Sequence, residues 1–109
     1  MHFQSIANKL KRKLLNVIIN GPRRYLYRFV SDVKVRCKIR QPVLFSGYKN
    51  FTVDPTVIFG VQQAPYFYSG YSYLEVRNKG GSISIGRGTA INNNVCIISN
   101  GAKISIGNR

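Results

Sequence analysis

A chain of 109 residues carries 17 Lys and Arg against 3 Asp and Glu, a formal charge of +14. That length allows one domain at most, and that charge turns attention to anionic partners. One histidine and two distant cysteines leave no metal-ligand spacing and no disulfide framework, so Cys37 and Cys96 read as small buried hydrophobes in a reducing compartment.

The charge is concentrated in residues 1–40, which hold eleven Lys and Arg against Asp32 alone. Residues 1–32 form a basic amphipathic arm. Ile6, Leu10, Leu14 and Ile18 recur every four residues, with Phe3, Ala7 and Val17 beside them and Lys9, Lys11, Arg12 and Lys13 flanking the stripe. The spacing predicts a helix over Ser5–Asn20, with Ser5 as N-cap and Gly21 as its end. Pro22 then opens a second short helix over Arg23–Val30. Solenoid folds need caps, so one expectation is that these helices dock on the rest of the chain and cover an open end. The other is attachment to an anionic membrane surface. No run approaches the length of a membrane span, and Leu14–Ile19 is too short and too interrupted for a secretory signal.

Residues 33–73 are less regular. Val33 to Arg40 alternates apolar and basic residues without a break, which predicts a half-buried edge strand with one charged face. A phosphate-binding face for nucleic acid is the competing reading, but no nucleic-acid motif accompanies it. Gln41 to Asn50 reads as a connector. Phe51–Gly60 reads as an irregular first coil, because Val53 and Phe59 lie six apart and Gly60 follows. Gln62 to Tyr73 is rich in Tyr, Gly and Ser and is expected as a loop thrown out from a corner. Its tyrosines suit stacking on sugar rings or packing against the helices or another subunit.

Residues 74–109 are the most ordered stretch. Ile85, Ile91 and Ile97 hold one phase through two steps of six, and Ile83-Ser-Ile-Gly86 returns as Ile104-Ser-Ile-Gly107. Val95 stands two before Ile97, as Ile83 stands two before Ile85. Self-similarity at a short fixed period marks a solenoid. A triangular coil with about six residues on each side, one aliphatic residue per side pointing inward, gives this period. Gly86, Gly88, Asn92, Asn94, Asn100, Gly101, Gly107 and Asn108 are the expected corner residues. An ordinary antiparallel pair with Gly/Asn turns would also alternate, but it gives no reason for three isoleucines in one phase. The predicted fold class is mainly β, the start of a left-handed parallel β-helix preceded by basic helices.

These residues resemble the hexapeptide-repeat acyltransferases, and more narrowly the O-acetyltransferases of capsule, lipopolysaccharide and O-antigen synthesis. The matching pieces are Ile83–Gly86, Ala90-Ile-Asn-Asn-Asn-Val95, Ile97-Ile98 and Ile104–Gly107, with Leu74-Glu-Val76 as the preceding strand. The resemblance implies a homotrimer that transfers acetyl from acetyl-CoA, without metal, to a sugar hydroxyl of a surface polysaccharide. It implies a cytoplasmic location, with peripheral contact at the inner face of the cell membrane as an alternative for the arm. It also puts Asn94, or Asn92 as second choice, on the acceptor side of the site. In that family a histidine removes the acceptor proton, about one coil beyond the segment seen here. His2 does not match that position, and no catalytic residue is assigned. The coils that bind coenzyme A are likewise absent. The expectation is therefore a gene product truncated before its general base and inactive as this chain. The alternative is a non-catalytic basic protein that binds an anionic membrane surface or nucleic acid, of which nucleic acid is the weaker candidate. Steep salt dependence would mark nucleic-acid binding.

Overall fold

The structure, a computed structural model, describes the backbone from residue 2 to residue 107 and side chains from residue 6 onward. The expected corner at Asn108 lies outside the described residues, as do the side chains of Phe3 and Ser5.

Two helices, α1 (His2–Leu15) and α2 (Gly21–Val30), precede nine strands. The helices are continuous through a π turn over Asn16–Asn20. Gly21 therefore does not end a helix. Its φ of −55° and ψ of −58° are helical, and Pro22 sits in the first turn of α2 as its fixed φ favours. Ser5 falls inside α1, not at its cap.

The strands are β1 (Lys38–Ile39), β2 (Val43–Gly47), β3 (Phe51–Val53), β4 (Ile58–Phe59), β5 (Ser72–Val76), β6 (Ser82–Ile85), β7 (Ala90–Ile91), β8 (Cys96–Ser99) and β9 (Lys103–Ile106). They form three parallel three-stranded sheets, in the orders β1-β4-β7, β2-β5-β8 and β3-β6-β9. The chain thus visits the three sheets in rotation, and each strand pairs with its counterpart one circuit later. A circuit takes 20 residues from Lys38 to Ile58 and 21 from Ser82 to Lys103. It takes 32 from Ile58 to Ala90, because residues 60–71 are inserted between β4 and β5.

Two sequence expectations change here. The even alternation of Val33–Arg40 yields only the two-residue strand β1, although burial still alternates, with Val35 buried and Lys34 and Arg36 exposed. The presumed connector Gln41–Asn50 contains β2, a full side of the first circuit, paired along its length with Ser72–Val76.

The hexad phase does what the spacing asks. Val53 is the register partner of Ile85, and Ile85 of Ile106. Phe59 partners Ile91, and Phe45 partners Leu74, which partners Ile97. These ladders meet in one core from all three sheets, in which Phe59, Leu74, Val76 and Ile83 are wholly buried. Phe45 sits edge-on to Phe51 and Phe59, with ring centroids 5.5 and 5.9 Å away. Each such side chain contributes about 1.5–3 kcal/mol by leaving water.

The two ends of the stack differ. The first circuit is covered by the stretch after α2. Val35 enters the core, with Val33 and Cys37 packed against it. Ser31 Oγ accepts the Phe45 N–H at 3.0 Å, and the Asp32 N–H donates to the Phe45 carbonyl at 2.8 Å. At the last circuit Val95, Ile97, Ile104 and Ile106 are only partly buried, so the described residues leave that end of the core open.

Candidate functional site

The inserted loop 60–71 and the helical arm meet on one corner of the coil, and polar side chains hold them together there. Gln41, wholly buried beside Pro42, donates from Nε2 to the carbonyls of Tyr66 at 2.8 Å and Ser69 at 3.2 Å, and to Asn94 Oδ1 at 2.9 Å. Its Oε1 accepts the Asn94 N–H at 2.9 Å. Asn93 reaches the same loop from below. It accepts the Val61 N–H at 2.8 Å and donates to the carbonyls of Val61 at 2.9 Å and Pro65 at 3.0 Å. From the arm, the buried Asn20 donates to the Phe67 carbonyl at 3.1 Å, and Arg23 bonds Asn20 Oδ1 at 2.6 Å and the carbonyls of Tyr68 and Gly70. Arg24 donates to Asn16 Oδ1 and to the Arg40 carbonyl, both at 2.8 Å. Partial burial holds the Arg24 guanidinium below its usual pKa. Among the described residues no buried side-chain N or O lacks a partner.

These amides answer a backbone need. An inserted loop has no ladder partners, so its carbonyls must find donors elsewhere. The loop's one deep apolar anchor is Phe67, and Tyr71 stacks on Tyr27 of α2 with centroids 4.6 Å apart. Tyr66 stands out at 71 % exposure with φ of +66°. Of the two readings for the tyrosines, packing against the helices holds for Tyr71. Tyr66 is free to meet a ligand.

The asparagines expected on the acceptor side sit at this corner. Asn94 has a positive φ of +54°, as a corner asparagine can, and its amide is engaged by Gln41 and lies against Gly70. Asn92 is exposed, and its Oδ1 accepts the neighbouring Asn93 N–H at 2.7 Å. Gln41, Asn93, Asn20 and Arg23 were not singled out in the sequence. Nothing local marks them, since each acts on carbonyls far along the chain.

Beside the corner, Lys9, Arg12, Lys13 and Arg40 line a cleft of about 380 Å³ with Asn16, Gln62 and Gln63. Gln62 Nε2 ties it to the arm through the Arg12 carbonyl at 2.6 Å. The chain's three acids are engaged elsewhere. Asp32 Oδ2 accepts the Gly47 N–H at 2.9 Å. Asp54 is held below the usual carboxylate range by the Thr56 hydroxyl and amide. Glu75 is held low by the Arg77 and Tyr73 side chains.

The expected docking of the helices fails for α1. Ile6, Leu10, Leu14 and Ile18 are more than half exposed. Only α2 packs along the coil, against β2, and it does so with its polar side inward. Its apolar side, with Pro22, Tyr25, Leu26 and Phe29, lines an open hollow of about 510 Å³.

No family model, curated protein or solved structure matches the chain. Chemically, the corner can bind anions and hydrogen-bond hydroxyls. Among the described residues no three His, Cys, Asp or Glu come together to hold a metal. Cys37, the thiol nearest the arm, is pushed up to about 11 by burial, which keeps it a poor nucleophile.

Proposed function

We propose that the three-sheet coil is a left-handed parallel β-helix of the hexapeptide-repeat kind. Its lineage is an acetyl-CoA-dependent O-acetyltransferase acting on a sugar hydroxyl of a surface polysaccharide. The observation that carries this reading is the coincidence of hexad phase with register. Val53, Ile85 and Ile106 stack in one sheet while Phe59 and Ile91, six residues on from Val53 and Ile85, stack in the next. A coil that turns a corner every six residues, with one aliphatic rung per side, is the repeat on which that family is built. Fold alone does not fix chemistry, so the reading also needs a site.

In acetyl transfer the acceptor oxygen attacks the thioester carbonyl, a base takes the hydroxyl proton, and coenzyme A leaves as the thiolate. The residues here supply scaffold and acceptor contacts. Asn92, whose amide bonds nothing across the coil among the described residues, is the better placed of the two asparagines to meet an acceptor hydroxyl. Tyr66, in the inserted loop that Gln41 and Asn93 hold to the same corner, offers an exposed ring for a sugar face. No base is assigned among these residues, and in this reading it resides on a further coil stacked on β7–β9, whose partly buried isoleucines such a coil would cover.

The deciding experiment reads the nucleotide sequence past codon 109 in all three frames. A continued hexad pattern with a histidine about one coil on, and acetyl transfer from acetyl-CoA by the polypeptide that carries it, is the expected result. A missing continuation, or a continued polypeptide with only background transfer, overturns the proposal.

A further inference from the structure

The helical segment turns its hydrogen-bonding groups toward the coil and its hydrocarbon away from it. Asn20, Arg23, Arg24 and Tyr27 are buried or half-buried against the loop and β1 region. Opposite them, Ile6, Leu10, Leu14, Ile18, Leu26 and Phe29 are 57–76 % exposed. The two helices run on through the π turn over Asn16–Asn20, and residues seven and eleven apart, such as Ile18, Tyr25 and Phe29, fall on one side of a helix.

We propose that His2–Val30 is an interfacial anchor that lies flat on an anionic phospholipid bilayer, with these six side chains entering the headgroup–acyl boundary. Charge complementarity selects this occupant. Lys9, Lys11 and Lys13 flank the apolar line, no acid precedes Asp32, and residues 1–40 carry eleven Lys and Arg. A second copy would bring +14 against +14. Nucleic acid offers phosphates but no hydrocarbon for an apolar face. An anionic bilayer offers both. Among the described residues no helix is long and apolar enough to cross a membrane, so the segment lies on the surface. The arginine bonds on its opposite side then hold the coil and its loop corner above the lipid. The anchor stands independently of the acyl-transfer reading.

The chain has no tryptophan, so Phe29→Trp gives a single reporter. Adding vesicles of phosphatidylcholine with a minority of phosphatidylglycerol should shift its emission to the blue and shield it from an aqueous quencher. Vesicles of phosphatidylcholine alone should do far less. Tyr48→Trp, exposed just after β2, should not respond. Leu10→Asp with Leu26→Asp should weaken sedimentation with the anionic vesicles by about tenfold or more while leaving the unfolding midpoint in place. The anchor is overturned by a silent Phe29→Trp reporter, or by equal responses from both reporters. A shift that follows protein concentration without lipid, which means self-association, overturns it too. So does a shift with duplex DNA but not with vesicles.

Discussion

The coil and the arm use the same residue types in opposite ways. In the coil, Phe59, Leu74 and Ile83 are wholly buried while Lys38 and Lys103 face out. In the arm, Phe29, Leu10 and Ile18 face out, and Asn20 and Arg23 face in. Apolar periodicity reports that an element has two faces; it does not say which face meets the body. In the coil the neighbours are copies of the same pattern one circuit away, so apolar must meet apolar. In the arm the neighbour is an inserted loop whose free carbonyls demand donors, and the polar face wins the contact.

Two phenylalanines break this contrast most sharply. Phe59→Ala removes a ring at the centre of the core and should cost about 4 kcal/mol. Phe29→Ala removes a 76 % exposed ring and should stay within about 0.5 kcal/mol. Urea unfolding of both variants decides. Comparable losses would mean that the arm is packed in solution and the contrast is false.

Glycines sharpen the contrast within the coil. Gly47 ends β2 with φ of +91°, and a Cβ there would stand inside contact distance of the Val76 carbonyl. Gly47→Ala should cost about 3 kcal/mol, from left-handed strain plus a forced backbone shift. Gly88 has a similar φ of +77° but open space around it, so Gly88→Ala should cost only about 1 kcal/mol. If thermal or urea midpoints rank the two in reverse, the tight stacking of β2 on β5 is wrong.

The coil was legible because its signal is local and repeated. Val53 with Phe59 and Ile85 with Ile91 announce their corners by spacing alone, and Gly88, Asn94, Gly101 and Gly107 occur at positive φ where corners were expected. Strand β2 was not legible. Pro42 and Gly47 bracket it like a turn, and only pairing with Ser72–Val76, far along the chain, makes it a strand. Gly21-Pro22 reads as a helix stop, yet bonds from Asn20, Arg23 and Arg24 to the loop and to Arg40 carry the helix through. Among Asn92, Asn93 and Asn94 no property of the sequence picks out Asn93 as the residue that reaches the insert.

The loop corner joins the two regions, and Gln41 is where it can be cut. Gln41→Leu keeps the volume but strips the donors from the carbonyls of Tyr66 and Ser69 and the contact with Asn94. The loss should be about 2 kcal/mol. Limited proteolysis should find new cleavage within residues 60–71 while the strands stay protected, because the loop loses its tether and the core loses nothing. Unchanged cleavage would assign the loop's order to Phe67, to Asn93 and to Asn20 and Arg23 of the arm.

The smallest effect concerns the two thiols, which again divide between a covered and an open position. Cys37 packs against the core below α2, and burial raises its thiol from an ordinary value near 9 to about 11, with Arg28 opposing. Cys96 is exposed on β8. The folded state therefore holds the Cys37 proton more tightly than the unfolded chain does. Its contribution is fully present below pH 9 and is lost as pH rises toward 11. Because the side chain is only half-buried, the resulting fall in stability should be slight, and Cys37→Ala should flatten it. At pH 8 a disulfide reagent should take Cys96 quickly and Cys37 slowly, since the thiolate is the reacting form. Equal rates in the folded protein would mean that the stretch between α2 and β1 opens readily, and that the covered end of the coil is no better sealed than the open one.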